Sequence, residues 1–179
     1  MRAAYNERQV NSKEEKALSL DAVKAALKAF DLENRVRTFD VSSATVELAA
    51  QALDVIPARI AKTLSFLAKD GSCIILVAAG DARVDNGKFK AFFGEKAKML
   101  PLEMVEEKTG HPVGGVCPFA VKEGAKIYLD ESLRRFDTIF PAAGTAQSAV
   151  ELHCEELEAA SKAIGWVDLC KDWLENAEK

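Results

Sequence analysis

The stretch "AKTLSFLAKDGSCIILVAAG", residues 61–80, constrains the fold more than any other part of the chain. Two apolar segments flank Asp70-Gly71, a dipeptide that favours a tight hairpin turn because both residues tolerate the backbone such turns need. "CIILVAA" is apolar at every position, which predicts a central strand buried on both faces. A chain built around such a hairpin has a sheet at its centre.

The remaining segments are read around that sheet. Ser19 reads as an N-cap before "LDAVKAALKAF", where Leu20, Val23, Ala26, Leu27 and Phe30 recur at helical spacing. "RVRTFDV" predicts a short strand, "TVELAAQAL" a second helix, and Pro57 a brief helical turn. "GKFKAFFG" reads as a short helix, "KAKML" as a strand, and "LEMVEEKTG" as a helix that follows Pro101 and stops at Gly110. "AKIYLDESL", "DTIFPAAG" and "SAVELH" supply three more strands, and "EELEAASKAIG" a helix. In "WVDLCKDWLENAEK", Trp166, Leu169, Trp173 and Leu174 fall on one stripe, so a terminal helix docked on the core is expected. The sum is a single α+β domain with a mixed sheet over residues 19–179, preceded by a polar extension over residues 1–18.

Composition bounds the function. With 49% hydrophobic and 29% charged residues, the chain has the profile of a soluble globular protein. No apolar run approaches the ~18 residues of a membrane span, and the first residues lack the apolar stretch of a secretory signal. A cytoplasmic protein with no membrane partner is expected. The net charge of −4 argues against a general nucleic-acid coat, and no DNA partner is expected. From Asp81 to Lys98, however, five basic residues (Arg83, Lys88, Lys90, Lys96, Lys98) face three acidic ones (Asp81, Asp85, Glu95). That small excess is read as a solvated helix face. Cys73, Cys117, Cys154 and Cys170 form no C-x-x-C pair and no zinc-like spacing with His111 or His153, so reduced thiols and no metal are expected.

The chemistry-bearing candidates centre on "TGHPVGGVCPF", residues 109–119. Gly114 and Gly115 in succession permit positive φ and close approach of backbone to a ligand, and successive N–H groups can line an anion or oxyanion site. Pro118 stiffens the exit and biases Cys117 toward extended backbone. Against this stands the plainer reading of a glycine-rich turn between helix and strand. Lys62 lies in the apolar setting "IAKTLSFL"; a lysine there either keeps its head in water or points into a cleft as a point charge for a phosphate or polar group. Cys117 and His111 invite a nucleophile–base reading, opposed by a structural thiol and a histidine bonded to nearby carbonyls. Asp130, at the end of "KIYLD", is placed where carboxylates often cap or turn.

The order of these segments carries more than any one of them. "KTLSF", an apolar strand ending "AAGD", a helix ending "TGHPVGGVCPF", then "IYLDESL" and "AAG" before "SAVEL" resemble the YbaK/EbsC family. These are free-standing relatives of the editing domain inserted in bacterial prolyl-tRNA synthetases. The resemblance runs from about Ser19 to Lys162. It implies a curved, mostly antiparallel sheet flanked by helices. It also implies a cofactor-free aminoacyl-tRNA deacylase, most often acting on tRNA for proline mischarged with cysteine or alanine. The expected partners are the tRNA acceptor end and prolyl-tRNA synthetase.

By the same resemblance Lys62 stands near the terminal adenosine and matters for activity. Gly114 and Gly115 offer backbone groups to the reaction. Thr63, His111, Val116, Cys117, Pro118 and Asp130 contribute to substrate binding, and Ala143 and Gly144 form a second pocket wall. Two departures bear on the substrate. The family loop commonly reads G-G-x-S-P, where this chain has Cys117. The inserted branch carries a histidine after its A-G, where this chain has Thr145 and Gln147 nearby. Two other readings remain: a noncatalytic module that binds charged tRNA or a synthetase, and a thiol hydrolase using Cys117.

Overall fold

The computed structural model describes residues 19–173; the expected extension over residues 1–18 and the last six residues lie outside the described residues. Helix α1 covers residues 19–28 and is followed by β1 (Val36–Thr38), α2 (Val46–Leu53), β2 (Ile60–Leu67) and β3 (Cys73–Ala79). Next come β4 (Arg83–Val84), α3 (Asn86–Phe93), α4 (Leu102–Thr109), β5 (Lys126–Asp130) and β6 (Phe140–Pro141). β7 (Ser148–Val150), α5 (Cys154–Ser161), β8 (Gly165–Val167) and β9 (Cys170–Lys171) complete the order.

The hairpin forms as its sequence requires. β2 and β3 pair antiparallel from Ala61↔Ala79 to Leu67↔Cys73. At the turn, Asp70 Oδ1 accepts from the Ser72 N–H at 2.9 Å and its hydroxyl at 2.6 Å, while Gly71 takes φ +80°. Every residue of β3 is buried, as its unbroken apolar run predicts. The five-stranded sheet has the order β6-β2-β3-β5-β8. β6, β5 and β8 join in parallel, and the small β1–β7 and β4–β9 sheets are antiparallel. Over the three sheets together antiparallel residue pairs outnumber parallel ones, so the expected α+β domain with mixed, mostly antiparallel sheets forms, although within the five-stranded sheet only the β2–β3 junction is antiparallel.

Most helices follow their sequence signals. Thr45 caps α2, its hydroxyl accepting from the Leu48 N–H, and Asp85 caps α3 through the N–H groups of Gly87 and Lys88. Gly110 ends α4 in the left-handed conformation. Pro57 opens the short 3-10 turn Pro57–Arg59. A main core surrounds β3 and β5, and a smaller one packs α2 against Ile60, Phe140 and Ala149.

Three local expectations are corrected. Ser19 is already helical and spends its hydroxyl on His111 rather than on a cap. "KAKML" forms a single bridge, Phe66↔Met99, instead of a strand. The terminal helix expected over Trp166, Leu169 and Trp173 is instead strand: β8 extends the sheet along β5 with Leu129↔Trp166, and β9 pairs with β4. The unpaired edge of β5 outweighs a stripe that suits helix and strand alike. Leu174 lies outside the described residues.

Candidate functional site

The outer edge of β2 frames the site. At its start β6 pairs with Ile60 and Ala61. At its far end the Leu67 N–H donates to the Lys98 carbonyl at 2.8 Å and the Leu100 N–H donates to the Ser65 carbonyl at 2.9 Å. Between these pairings, at Lys62 and Thr63, the strand borders a cavity of about 190 Å³. The loop before α2 (Ser43, Ala44, Thr45), Gly114, Val116 and the small side chains of Ala142 and Ala149 enclose it. Drug-sized ligands occupy roughly 300–1,000 Å³, so this space suits a small side chain.

Lys62 sits in this wall, partly buried. Its ammonium donates to the Gly80 carbonyl at 2.9 Å and also to the Ala82 carbonyl. Two of three N–H donors are thereby used, leaving one for a ligand. Burial lowers its pKa from 10.5, opposed by Cys170, Asp81, Glu47 and Asp130. The turn bearing those carbonyls is itself held: Arg135 forms a forked pair with Asp81 at 2.5 and 3.0 Å, well shielded from water. Next to Lys62 in sequence, the Thr63 hydroxyl is buried with no hydrogen-bond partner among the described residues. An unmet buried hydroxyl is costly.

The glycine loop divides its labour between its two glycines. Gly114 lines the cavity at φ +85°, a conformation that disfavours any residue with a Cβ, and its N–H has no partner among the described residues. Gly115 does not serve as expected. Its N–H donates to the Pro112 carbonyl at 2.9 Å, closing a turn, so it is not available to an oxyanion. A Cβ on Gly115 would stand 2.6 Å from the Gly144 carbonyl oxygen; this glycine is needed for close packing of two backbones.

Several expected substrate contacts prove to be the loop's foundations. His111 is buried, with Nδ1 2.7 Å from the Ser19 hydroxyl and Nε2 2.8 Å from the Phe119 carbonyl. Burial lowers its pKa, with the Phe119 contact opposing. Cys117 is fully buried 3.6 Å from His111 Nε2, and burial pushes its thiol up to about 12. Pro118 is buried beside it. Neither the nucleophile–base pair nor a pocket role for Cys117 survives, because both groups face the core. Asp130 is buried too, its carboxylate accepting from the N–H groups of Ser132 at 3.0 Å and Leu169 at 2.8 Å. Ala143 and Gly144 back the loop, and the second wall is Ala142 with Ser148 and Ala149 instead.

The sequence reading thus brought Lys62, Thr63, Gly114 and Val116 to the cavity and missed Ser43, Ala44, Thr45 and Val46. The missed wall had one signal, the Thr45 cap, which leaves the N–H groups of Val46 and Glu47 at the positive end of α2 without partners inside the helix. Among the described residues, no cluster of His, Cys, Asp or Glu could hold a metal ion. Nor is any described helix long and apolar enough to cross a membrane.

Comparison with known proteins places this geometry. The sequence profile of the aminoacyl-tRNA editing domain matches residues 40–160, which hold the whole cavity. The uncharacterized protein YwhH of Bacillus subtilis (strain 168) is 48% identical over 156 residues, 87% of this chain and 99% of its own length. The proline–tRNA ligase of Kosmotoga olearia is 32% identical over 91 residues, 50% of this chain but 16% of the ligase. The crystal structure of a candidate trans-editing enzyme for prolyl-tRNA synthetase superposes with a TM-score of 0.77 at 29% identity, covering 86% of this chain and 97% of that one. The fold and the profile match over more than half of the chain agree, and the chain belongs to the aminoacyl-tRNA editing domain family.

Proposed function

We propose that the protein is a trans-editing deacylase that hydrolyses the ester of a mischarged tRNA, with tRNA for proline carrying cysteine or alanine as its substrate. The observation that carries the reading is the small cavity walled by Lys62, the unpartnered Thr63 hydroxyl and Gly114. Likeness to the proline–tRNA ligases and to the candidate trans-editing enzyme supports the choice of tRNA. The volume of about 190 Å³ supports a small amino acid.

An aminoacyl ester is already activated, so no protein nucleophile is required. Water attacks the carbonyl carbon, the carbonyl oxygen becomes an oxyanion, and collapse expels the ribose oxygen, which takes up a proton. Free amino acid and free tRNA result. The Gly114 N–H and the first N–H groups of α2 are the donors for the oxyanion, in a setting where preorganised dipoles act strongly. The remaining Lys62 N–H binds the terminal ribose or phosphate, and the Thr63 hydroxyl orders the water or the α-amine. Discrimination against larger side chains comes from cavity size. A methylene difference in an apolar pocket is worth only ~1–3 kcal/mol, which is why a separate editing step is useful at all.

A panel of tRNA for proline charged with cysteine, alanine, serine or proline tests this. Loss of cysteine or alanine well above the buffer rate, with prolyl-tRNA spared, is the expected result. Binding of charged tRNA without loss of any amino acid would favour a noncatalytic module. Lys62 already spends two donors on carbonyls, which is the one observation that favours that alternative.

A further inference from the structure

Away from the cavity, at the opposite end of β2, lies a second concavity of about 580 Å³. It is formed by the tip of the β2–β3 hairpin, the end of α3 and the segment leading to Lys98, and it is lined by Lys69, Lys90, Lys96 and Lys98. All four side chains are exposed. Lys88, Lys126 and Lys171 pair with Asp168, Asp70 and Asp85, while Lys28, Lys122 and Lys162 are exposed without an ion pair among the described residues but do not share a concavity with one another. None of the groove's four lysines forms an ion pair among the described residues. The one acid in the concavity, Glu95, is taken by the Lys69 backbone N–H at 3.0 Å. On a chain of net charge −4, four lysines against one glutamate in one groove are a local positive excess, and such a feature concentrates a polyanion.

The groove and the cavity both border β2, at its opposite ends. The Lys98 carbonyl pairs with Leu67 on β2, and the cavity borders the same strand at Lys62 and Thr63. Five residues separate Lys62 from Leu67, about 17 Å at ~3.3 Å per residue. A nucleic-acid strand rises ~3.4 Å per stacked nucleotide, so the groove lies about five nucleotides from a terminal nucleotide seated at Lys62. That is the distance at which a single-stranded 3′ end gives way to base-paired stem.

We propose that this lysine groove is the docking surface for the phosphodiester backbone of the acceptor stem, and that it holds the tRNA while the 3′ end enters the cavity. This rests on the reading of the cavity as an aminoacyl-tRNA site. The groove contacts phosphates, so it supplies affinity without reading bases. It acts on KM and leaves the chemical step alone.

The test compares the full chain with a variant carrying Lys69→Gln, Lys90→Gln, Lys96→Gln and Lys98→Gln. Three probes are used: deacylated tRNA for proline, a single-stranded oligonucleotide ending in CCA, and vesicles of phosphatidylglycerol. Loss of about tenfold or more in tRNA affinity is expected, with a shallower dependence of log K on log salt, since each phosphate contact contributes ~0.7–0.9 to that slope. Oligonucleotide binding should be unchanged, and kcat for the mischarged tRNA should hold while KM rises. Should the fourfold variant lose its fold, Lys96→Gln with Lys98→Gln carries the same comparison. Equal tRNA affinity and salt slope in variant and wild type, with deacylation intact in both, would overturn the groove and spare the catalytic reading. Loss of vesicle binding alone would overturn it in favour of a lipid surface. A wild type that neither binds nor hydrolyses any aminoacyl-tRNA would overturn both.

Discussion

The Lys62 ammonium stands 2.9 Å from the Gly80 carbonyl oxygen, and with its second bond to Ala82 it is fixed over the turn that leaves β3. A lysine so held is a positioned charge rather than a solvated one. Lys62→Ala is expected to lower deacylation about 100-fold or more, the scale on which a misplaced substrate costs turnover. Lys62→Arg should not restore it, because a planar fork cannot replace a compact ammonium between two carbonyls. The charged form exists below the pKa, and burial lowers that pKa from 10.5. Activity net of the buffer rate should therefore fall with rising pH at lower pH than an ordinary lysine would give.

Behind that turn, Arg135 and Asp81 make a shielded forked pair. Arg135→Met leaves Asp81 unpaired and should cost about 3 kcal/mol of stability in urea unfolding, as broken buried pairs do. Asp81→Asn keeps the shape and weakens the pair. It should lower kcat more than it lowers stability, if the turn's task is to aim Lys62.

The two loop glycines should separate in their effects. Gly115→Ala drives a Cβ to within 2.6 Å of the Gly144 oxygen and should cost about 1–3 kcal/mol, as overpacking does. Gly114→Ala meets no such clash, its nearest neighbour being 3.5 Å away, but strains a residue at φ +85°. A loss of about 1–2 kcal/mol with a larger loss of turnover is expected, because this glycine borders the cavity.

Cys117→Ser should leave turnover close to wild type. A thiol pushed up to about 12 is protonated at neutral pH and faces the core, so it cannot be the nucleophile. Abolished activity in a folded Cys117→Ser protein would contradict this and restore the thiol mechanism.

His111 ties the loop to α1 as a buried, neutral group. Its folded pKa lies below the ordinary 6.5, so the unfolded chain binds the proton more readily. Stability present above about pH 6.5 is lost as pH falls from there through the folded value. Chemical unfolding across pH 7.5 to 5 should show that decline in wild type and a flatter profile in His111→Gln.

The legible parts of this fold are those with local causes. The β2–β3 hairpin follows from an apolar run and Asp70-Gly71, α2 from the helical phase of "TVELAAQAL", and the end of α4 from Gly110. The C-terminal segment was misjudged because Trp166 and Leu169 recur at a spacing that fits a helix, while the deciding partner, the edge of β5, lies some 40 residues earlier. At the site, Lys62 and Gly114 stand out by residue type and setting but take their expected roles only from the family resemblance, and both line the cavity. His111, Cys117 and Asp130 were overread for the same reason: polar and reactive side chains look like chemistry until their partners are known. Those partners are Phe119, Ser19, Ser132 and Leu169. Sequence distance concealed the wall from Ser43 to Val46, which meets Gly114 only in three dimensions.

The most direct measurement is single-turnover deacylation of cysteinyl- and alanyl-tRNA for proline by wild type and by Lys62→Ala, each at enzyme concentrations that saturate the tRNA. The account predicts rapid release of at least one of these amino acids by wild type, and release near the buffer rate by the variant even when the tRNA is fully bound. Equal rates for the two proteins under saturation would contradict it, because the charge held by Gly80 and Ala82 would then have no part in the reaction.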